Sequence, residues 1–253
     1  MTTARDWDGQ TYDRVSAPME AMGLAVLERL PLHGDETVVD AGCGSGRVTE
    51  ALLARLPRGR VIGVDGSASM IAAARERLGE RPQLELWVSD LLALDLGDER
   101  ADAILSTATF HWIADHAALF ARLRGALRDG GLLVAQCGGA GNIAATHAAA
   151  REVGATEPYA PYFEGWVGPW RFAAPQETEE LLRAAGFAET RCWLEDRPVT
   201  PEDPFTYLRE INLGAHLERL PAELRDPFVR EVLERHEQPV TLDYVRLNMD
   251  ARA

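Results

Sequence analysis

The stretch Val38-Val39-Asp40-Ala41-Gly42-Cys43-Gly44-Ser45-Gly46 constrains the fold more than any other part of the chain. A β-branched run that reads as a buried strand passes directly into three alternate glycines, and Val48, Leu52, Leu53 and Leu56 then recur on one helical face. Strand, glycine turn and helix open a parallel α/β unit. Without Cβ atoms the turn can be sharp and a ligand can lie against its peptide groups, beside a helix N-terminus whose partial positive charge suits a carboxylate or phosphate. A dinucleotide fingerprint needs Gly-x-Gly-x-x-Gly, but counting from Gly42 the third position is Arg47, so the nicotinamide dinucleotide reading loses ground.

Further short apolar runs begin near Arg60, Leu84, Asp102 and Gly131, with helical patterns between most of them, which implies a parallel sheet. Met19 to Leu30 reads as an amphipathic helix, placing the first 30 residues on the sheet edge or over the ligand crevice. Ala117 to Leu127 puts Phe120, Leu123 and Leu127 on one face, with Asp115 as N-cap and Asp129-Gly130-Gly131 as exit turn. After Cys137 come a helical stretch and then Tyr159 to Phe172, crowded with aromatics, Gly and Pro, which together look like an insertion. Alternation resumes with a helix over Glu177 to Ala185, Gly186 as its cap and a strand from Thr190 to Glu195. A second helical insertion covers Asp203 to His236, and Thr241 to Met249 reads as the final strand.

The second strand ends in Asp65, where an acid can accept from both hydroxyls of a ribose, and the third in Asp90-Leu91, where Asp90 could accept from an adenine amino group while Leu91 covers the ring. Asp90 equally suits a turn or helix cap, Asp40 either contacts the ligand amine or organises the loop, and Met70 fits either core or adenine packing. These positions fall on the carboxyl-end rim where open α/β sheets bind ligands.

At 253 residues and 46% apolar content the chain can bury a sizeable core. A net charge of −14 opposes binding to nucleic acid or an anionic membrane and favours a small-molecule partner. All 26 basic residues are arginine, which removes Schiff-base chemistry and a P-loop lysine. Cys43, Cys137 and Cys192 lack metal-ligand spacing, so disulfides and a metal site are disfavoured. No apolar run approaches the roughly 20 residues of a membrane span, and the polar, acidic start is unlike a signal peptide, so the expected location is cytoplasmic.

From VVDAGCGSG through VIGVDGS and VSDLLAL to DAILSTATFHWIADH and GGLLVAQ, the sequence resembles the class I S-adenosylmethionine-dependent methyltransferases. FHWIADH, the aromatic insertion and TLDYVRLNM resemble the trans-aconitate methyltransferase-like group, whose members methylate small acids. The resemblance implies a doubly wound α/β fold with a seven-stranded sheet, mostly parallel, with a final antiparallel strand. The core would comprise 1–138, with a helical segment 1–34, together with 176–202 and 238–253. Insertions 139–175 and 203–237 would form a cap on the acceptor side. S-adenosylmethionine would be held by Asp40, Gly42, Cys43, Gly44, Gly46, Asp65, Gly66, Met70, Asp90, Leu91 and Thr107. His111 and Trp112 are the candidate catalytic residues, unless they only pack beside the fourth strand. Tyr159, Trp166, Trp170, Arg171 and Arg209 are candidates for the acceptor, the aromatics otherwise forming a satellite core and the arginines surface ion pairs. The expected reaction is O-methylation of a small carboxylic acid. The alternatives are methylation of a hydroxyl or nitrogen on a hydrophobic natural product, favoured by Tyr159, Tyr162, Phe163, Trp166 and Trp170, and a protein that binds the cofactor or its demethylated product without catalysis.

Overall fold

The computed structural model describes residues 17–253. Strands β1 (Thr37–Ala41), β2 (Arg60–Asp65), β3 (Leu84–Val88), β4 (Ala101–Thr107), β5 (Leu127–Gly138), β6 (Glu189–Asp196) and β7 (Val245–Arg252) form one sheet of order β3-β2-β1-β4-β5-β7-β6. The first five pair in parallel, and β7 runs antiparallel to both β5 and β6. The main helices are α1 (Ala17–Leu27), α2 (Arg47–Arg55), α3 (Ala68–Leu78), α4 (His116–Ala126), α5 (Ala144–Gly154), α6 (Pro175–Ala184) and α7 (Ala222–Glu234).

Strand periodicity divides the core in two. Val38, Val61, Leu105 and Val134 point to the face covered by α1, α2 and α3, while Val39, Ile62, Ile104 and Leu133 point to the face covered by α4 and α6. Both faces of the sheet are therefore buried, as a doubly wound fold requires. Asp115 caps α4 by accepting from the Ala118 N–H at 2.9 Å.

Three boundaries differ from the sequence reading. Residues 127–130, read as helix end and turn, already belong to β5; the chain still kinks at Gly130 (φ 76°), whose N–H is held by the Ala253 carbonyl at 2.8 Å. The last strand starts at Val245 rather than Thr241, because Leu242 bridges back to Val199 and is buried in a different core. Of the two places expected for the first helix, the sheet edge and the ligand crevice, α1 takes the sheet face against β4, β5 and α2, driven there by Val26 and Leu27, with Met19 near its start bordering the crevice. The part of that expectation that concerns residues 1–16 lies outside the described residues.

A separate apolar core joins α5 and α7 with Tyr159, Val199, Tyr207, Leu208, Leu242 and Tyr244. Between Pro204 and Leu217 the chain makes short turns, including a π-helical turn over Leu208–Asn212. The three cysteines are free thiols. Among the described residues no helix is long and apolar enough to cross a membrane, and no three His, Cys, Asp or Glu side chains gather as metal ligands.

His147 and His216 lie beside this second core with ring centroids 6.0 Å apart, and His147 Nε2 and His216 Nδ1 are buried without a hydrogen-bond partner. Burial holds their pKa values down, to about 4 for His147 and about 3 for His216. Below the ordinary histidine value the unfolded chain takes up protons that the folded one refuses, so stability is lost as pH falls from about 6.5 toward these values. Urea midpoints measured between pH 7 and 4.5 are expected to fall steeply for the wild type and less steeply for His147→Phe/His216→Phe. An identical slope in the two proteins would show that these rings do not set the acid sensitivity.

Candidate active site

Strand order reverses between β1 and β4, and a cleft of about 1600 Å³ opens at the carboxyl ends of the strands around that point. One end is built by the glycine turn. Gly42, Gly44 and Gly46 all have positive φ (85°, 54° and 84°), which glycine adopts without steric cost. Their side-chain vectors meet different surroundings. A Cβ on Gly42 would lie 2.0 Å from Thr109 Oγ1, and one on Gly46 would lie 2.9 Å from Leu78 Cδ1 of α3, whereas one on Gly44 would meet nothing within 4 Å. Gly42 and Gly46 are therefore required by packing, and Gly44 borders the open cleft.

Asp65, at the end of β2, accepts the Gly44 N–H on Oδ2 at 3.0 Å and the Ser67 N–H on Oδ1 at 2.8 Å. Each oxygen keeps a further lone pair, and the residue borders the cleft. Burial raises its pKa, opposed by these two N–H bonds. Asp90 caps the turn after β3 through Oδ1 on the Leu92 N–H at 2.9 Å and also borders the cleft, so cap and cleft wall are combined in one residue. Gly66, Met70, Leu91 and Thr107 complete this end.

Three residues expected at the ligand lie outside the cleft lining. Asp40 points to the α2 face, where Oδ2 accepts from Thr49 Oγ1 at 2.7 Å and burial raises its pKa to about 6. The Thr49 bond fits the loop-organising reading, and Oδ1, buried without a hydrogen-bond partner, keeps an oxygen for the ligand reading. Cys43 is buried beneath the turn against Gly63, with its thiol pKa pushed up by burial, and Gly46 packs on α3.

The other end of the cleft is aromatic and polar. His111 and Trp112 follow β4 in a single turn, and Trp166, Trp170 and Arg171 from the insertion face the same space. His111 is buried, stacks on Phe172 with centroids 5.8 Å apart, and its Nδ1 accepts the Gly138 N–H at 3.3 Å. Burial, reinforced by the nearby Arg246 charge, holds its pKa well below the ordinary histidine value. An Nδ1 that accepts requires the single ring proton to sit on Nε2. His111 is thus a neutral imidazole whose second nitrogen is a donor.

Two acceptor candidates lie elsewhere. Tyr159 is buried against Phe228 and donates its hydroxyl to Glu231 Oε1 at 2.6 Å, because it anchors the second core. Arg209 is an ion-pair residue, held by Glu210 and by Asp226 at 2.9 Å. Arg171 borders the cleft with Nη1 on the Ala114 carbonyl at 2.7 Å and Nη2 on Glu177 at 2.5 Å. Of the remaining aromatics, Phe163 packs against the second core and Tyr162 is exposed.

Cleft residues that the sequence reading did not single out include Ser67, Thr109, Asn142, Asn212, Tyr244 and Arg246. Ala108 (φ 56°) and Ile143 (φ 45°), two non-glycine residues in the left-handed region, also border it. The one signal open to a sequence reader was the charged and polar series Arg246, Asn248, Asp250 alternating through the apolar last strand.

A family model described as a methyltransferase domain matches residues 39–135. The chain is similar to the trans-aconitate 2-methyltransferase of Variovorax paradoxus (strain S110), 32% identical over 247 residues that cover 96% of this chain and 94% of the relative. The chain belongs to the class I S-adenosylmethionine-dependent methyltransferases. Among solved structures, the fold is similar to that of the YcgJ protein from Bacillus subtilis, with TM-score 0.65, 15% identity and coverage of 92% of this chain and 97% of that one. It is also similar to phosphoethanolamine N-methyltransferase 2 of Haemonchus contortus, in complex with S-adenosyl-L-methionine. There the TM-score is 0.64 at 20% identity, covering 100% of this chain and 58% of that one.

This methyltransferase uses S-adenosylmethionine, and the residues present fit it: open space over Gly44, spare lone pairs on Asp65 and Asp90, and apolar walls in Met70 and Leu91. Calorimetry with S-adenosylhomocysteine is expected to show Asp65→Ala weakened by roughly 10–150-fold, the loss of hydrogen bonds to a charged acceptor. Gly44→Ala is expected to lose about 1–2 kcal/mol of stability, the cost of a Cβ in the left-handed region, and to bind more weakly. Gly42→Ala is expected to lose stability outright through its clash with Thr109. Equal stabilities for the two glycine variants, or unchanged affinity in a folded Asp65→Ala, would contradict these assignments.

Proposed function

We propose that this methyltransferase esterifies a carboxylate of a small organic acid. The observation that carries the reading is the His111 Nδ1 accepting the Gly138 N–H, from which the ring proton is assigned to Nε2. A phenol or alcohol must lose a proton as it attacks, and gains from a base near neutral pH. A neutral imidazole presenting only N–H to the cleft offers none. A carboxylate is already ionised and requires no base; an Nε2–H donor can orient it by hydrogen bonding. The name of the Variovorax paradoxus relative, a trans-aconitate 2-methyltransferase, supports the same class of acceptor.

When bound, S-adenosylmethionine supplies an activated methyl group, so the protein's task is alignment and exclusion of water. We assign alignment of the donor to the glycine turn, Asp65 and Asp90. The segments 139–175 and 203–237 act as a cap over the acceptor end, contributing Trp166, Trp170 and Phe172 from the first and Ile211 and Asn212 from the second. Trp112 and Trp170, with centroids 5.9 Å apart, keep the site poor in water.

The aromatic lining favours a second reading, methylation of a hydroxyl or nitrogen on an apolar natural product. The pH dependence of turnover separates them. For an acid acceptor, kcat of the wild type is expected to be level across roughly pH 6 to 8, and His111→Ala to lose no more than about tenfold, since only orientation is removed. A loss of roughly 10²–10⁴-fold, together with disappearance of a limb near the histidine pKa, would identify a general base and support the hydroxyl acceptor.

A further inference from the structure

Arg246 is the cation set deepest in the acceptor end of the cleft. It is only 2% exposed and sits at the start of β7 in register with Gly138, the residue whose N–H fixes His111. Its guanidinium lies 6.0 Å from the Tyr244 ring, and its Nε is 3.4 Å from Gln136 Oε1. Tyr244, also bordering the cleft, accepts from Asn212 Nδ2 at 2.8 Å and from the Tyr207 hydroxyl at 3.3 Å. With both lone pairs engaged, the Tyr244 hydroxyl has a proton to give. Asn142 uses Oδ1 to accept the Val245 N–H at 3.1 Å, which turns its amide NH2 away from that bond as a second neutral donor on the cleft wall. A side chain on Gly138 would come within 2.7 Å of Phe172 and 3.0 Å of Asn142 Nδ2, so glycine there leaves room beside these donors.

A guanidinium and two neutral donors at one end of the cleft match a carboxylate in charge and in hydrogen-bond polarity. Two more exposed arginines border the cleft, Arg171 bonded to Ala114 and Glu177, and Arg219 bonded to the Tyr162 carbonyl at 2.7 Å. A carboxylate held by a guanidinium has its lone pairs engaged and is a poorer nucleophile, so the group bound here is not the one that attacks.

We propose that Arg246, with Tyr244 and Asn142, forms a subsite that anchors a second, non-reacting carboxylate of the acceptor and thereby positions the carboxylate that is methylated. This rests on the acid reading above. The subsite makes Arg246 a specificity residue: it discriminates acids with a second carboxylate from monocarboxylic acids of similar size.

The test compares kcat/KM for trans-aconitate and for crotonate, a monocarboxylic acid, in wild type, Arg246→Gln, Arg246→Lys and Tyr244→Phe, with S-adenosylhomocysteine affinity measured on each. The subsite predicts that the ratio of the two kcat/KM values falls by about tenfold or more in Arg246→Gln, chiefly through the KM for the polyacid. Arg246→Lys restores part of the ratio, and cofactor affinity is retained. Should Arg246→Gln fail to fold, Tyr244→Phe removes a single oxygen and is expected to lower the ratio by a few-fold. A polyacid still methylated with an unchanged ratio in the folded variants overturns the subsite and leaves the acid reading standing. If the wild type binds S-adenosylhomocysteine but methylates neither acid, the acid reading falls and the subsite with it.

Discussion

The reversal of strand order between β1 and β4 is the constraint on which the rest of the structure depends. The crossovers from β1 through α2 to β2 and on through α3 to β3 go one way across the sheet, and the chain then returns to place β4 and β5 on the other side of β1. The loops that leave β1 and β4 turn opposite ways at that point, so a crevice is left at the carboxyl ends. The chain must leave β1 in a turn tight enough to start α2 without filling that crevice. Three glycines with positive φ satisfy this, and Asp65 from the neighbouring strand ties the turn down through the Gly44 N–H. The same carboxylate that holds the loop borders the cleft.

The half of the cleft at the glycine turn was legible because its lining residues are dictated by local backbone chemistry. A strand followed by alternating glycines, an acid at the end of the next strand and an acid-apolar pair at the end of the third are patterns within short windows. Asp40 and Cys43 lie behind the cleft wall for a geometric reason. The period of two along β1 turns Asp40 to the same side as Val38, toward Thr49 in α2, and buries it there.

The acceptor half was legible only in outline. An aromatic-rich insertion was evident, but which aromatics face the cleft depends on how α5, α7 and the turns between Pro204 and Leu217 pack together, and those contacts join residues far apart in sequence. Tyr159 and Phe163 were drawn into the second core, while Trp166 and Trp170 were left on the cleft wall. Tyr244 and Arg246 escaped notice because the last strand was read for its apolar residues. The polar residues alternating with them form a continuous seam, in which Gln136 donates to Asn248 at 2.9 Å and Arg29 reaches both Asn248 and Asp250. The donor end of the site therefore rests on local rules, and the acceptor end on tertiary packing around β7.

The proposed transfer to an ionised acid would yield a methyl ester. The most direct measurement is the alkali lability of the methylated product, made with methyl-labelled S-adenosylmethionine and an acid acceptor and followed by mass spectrometry. Release of the label as methanol under mild base, with recovery of the original acid, is the predicted result. A label that survives saponification, as an ether or N-methyl group would, contradicts it.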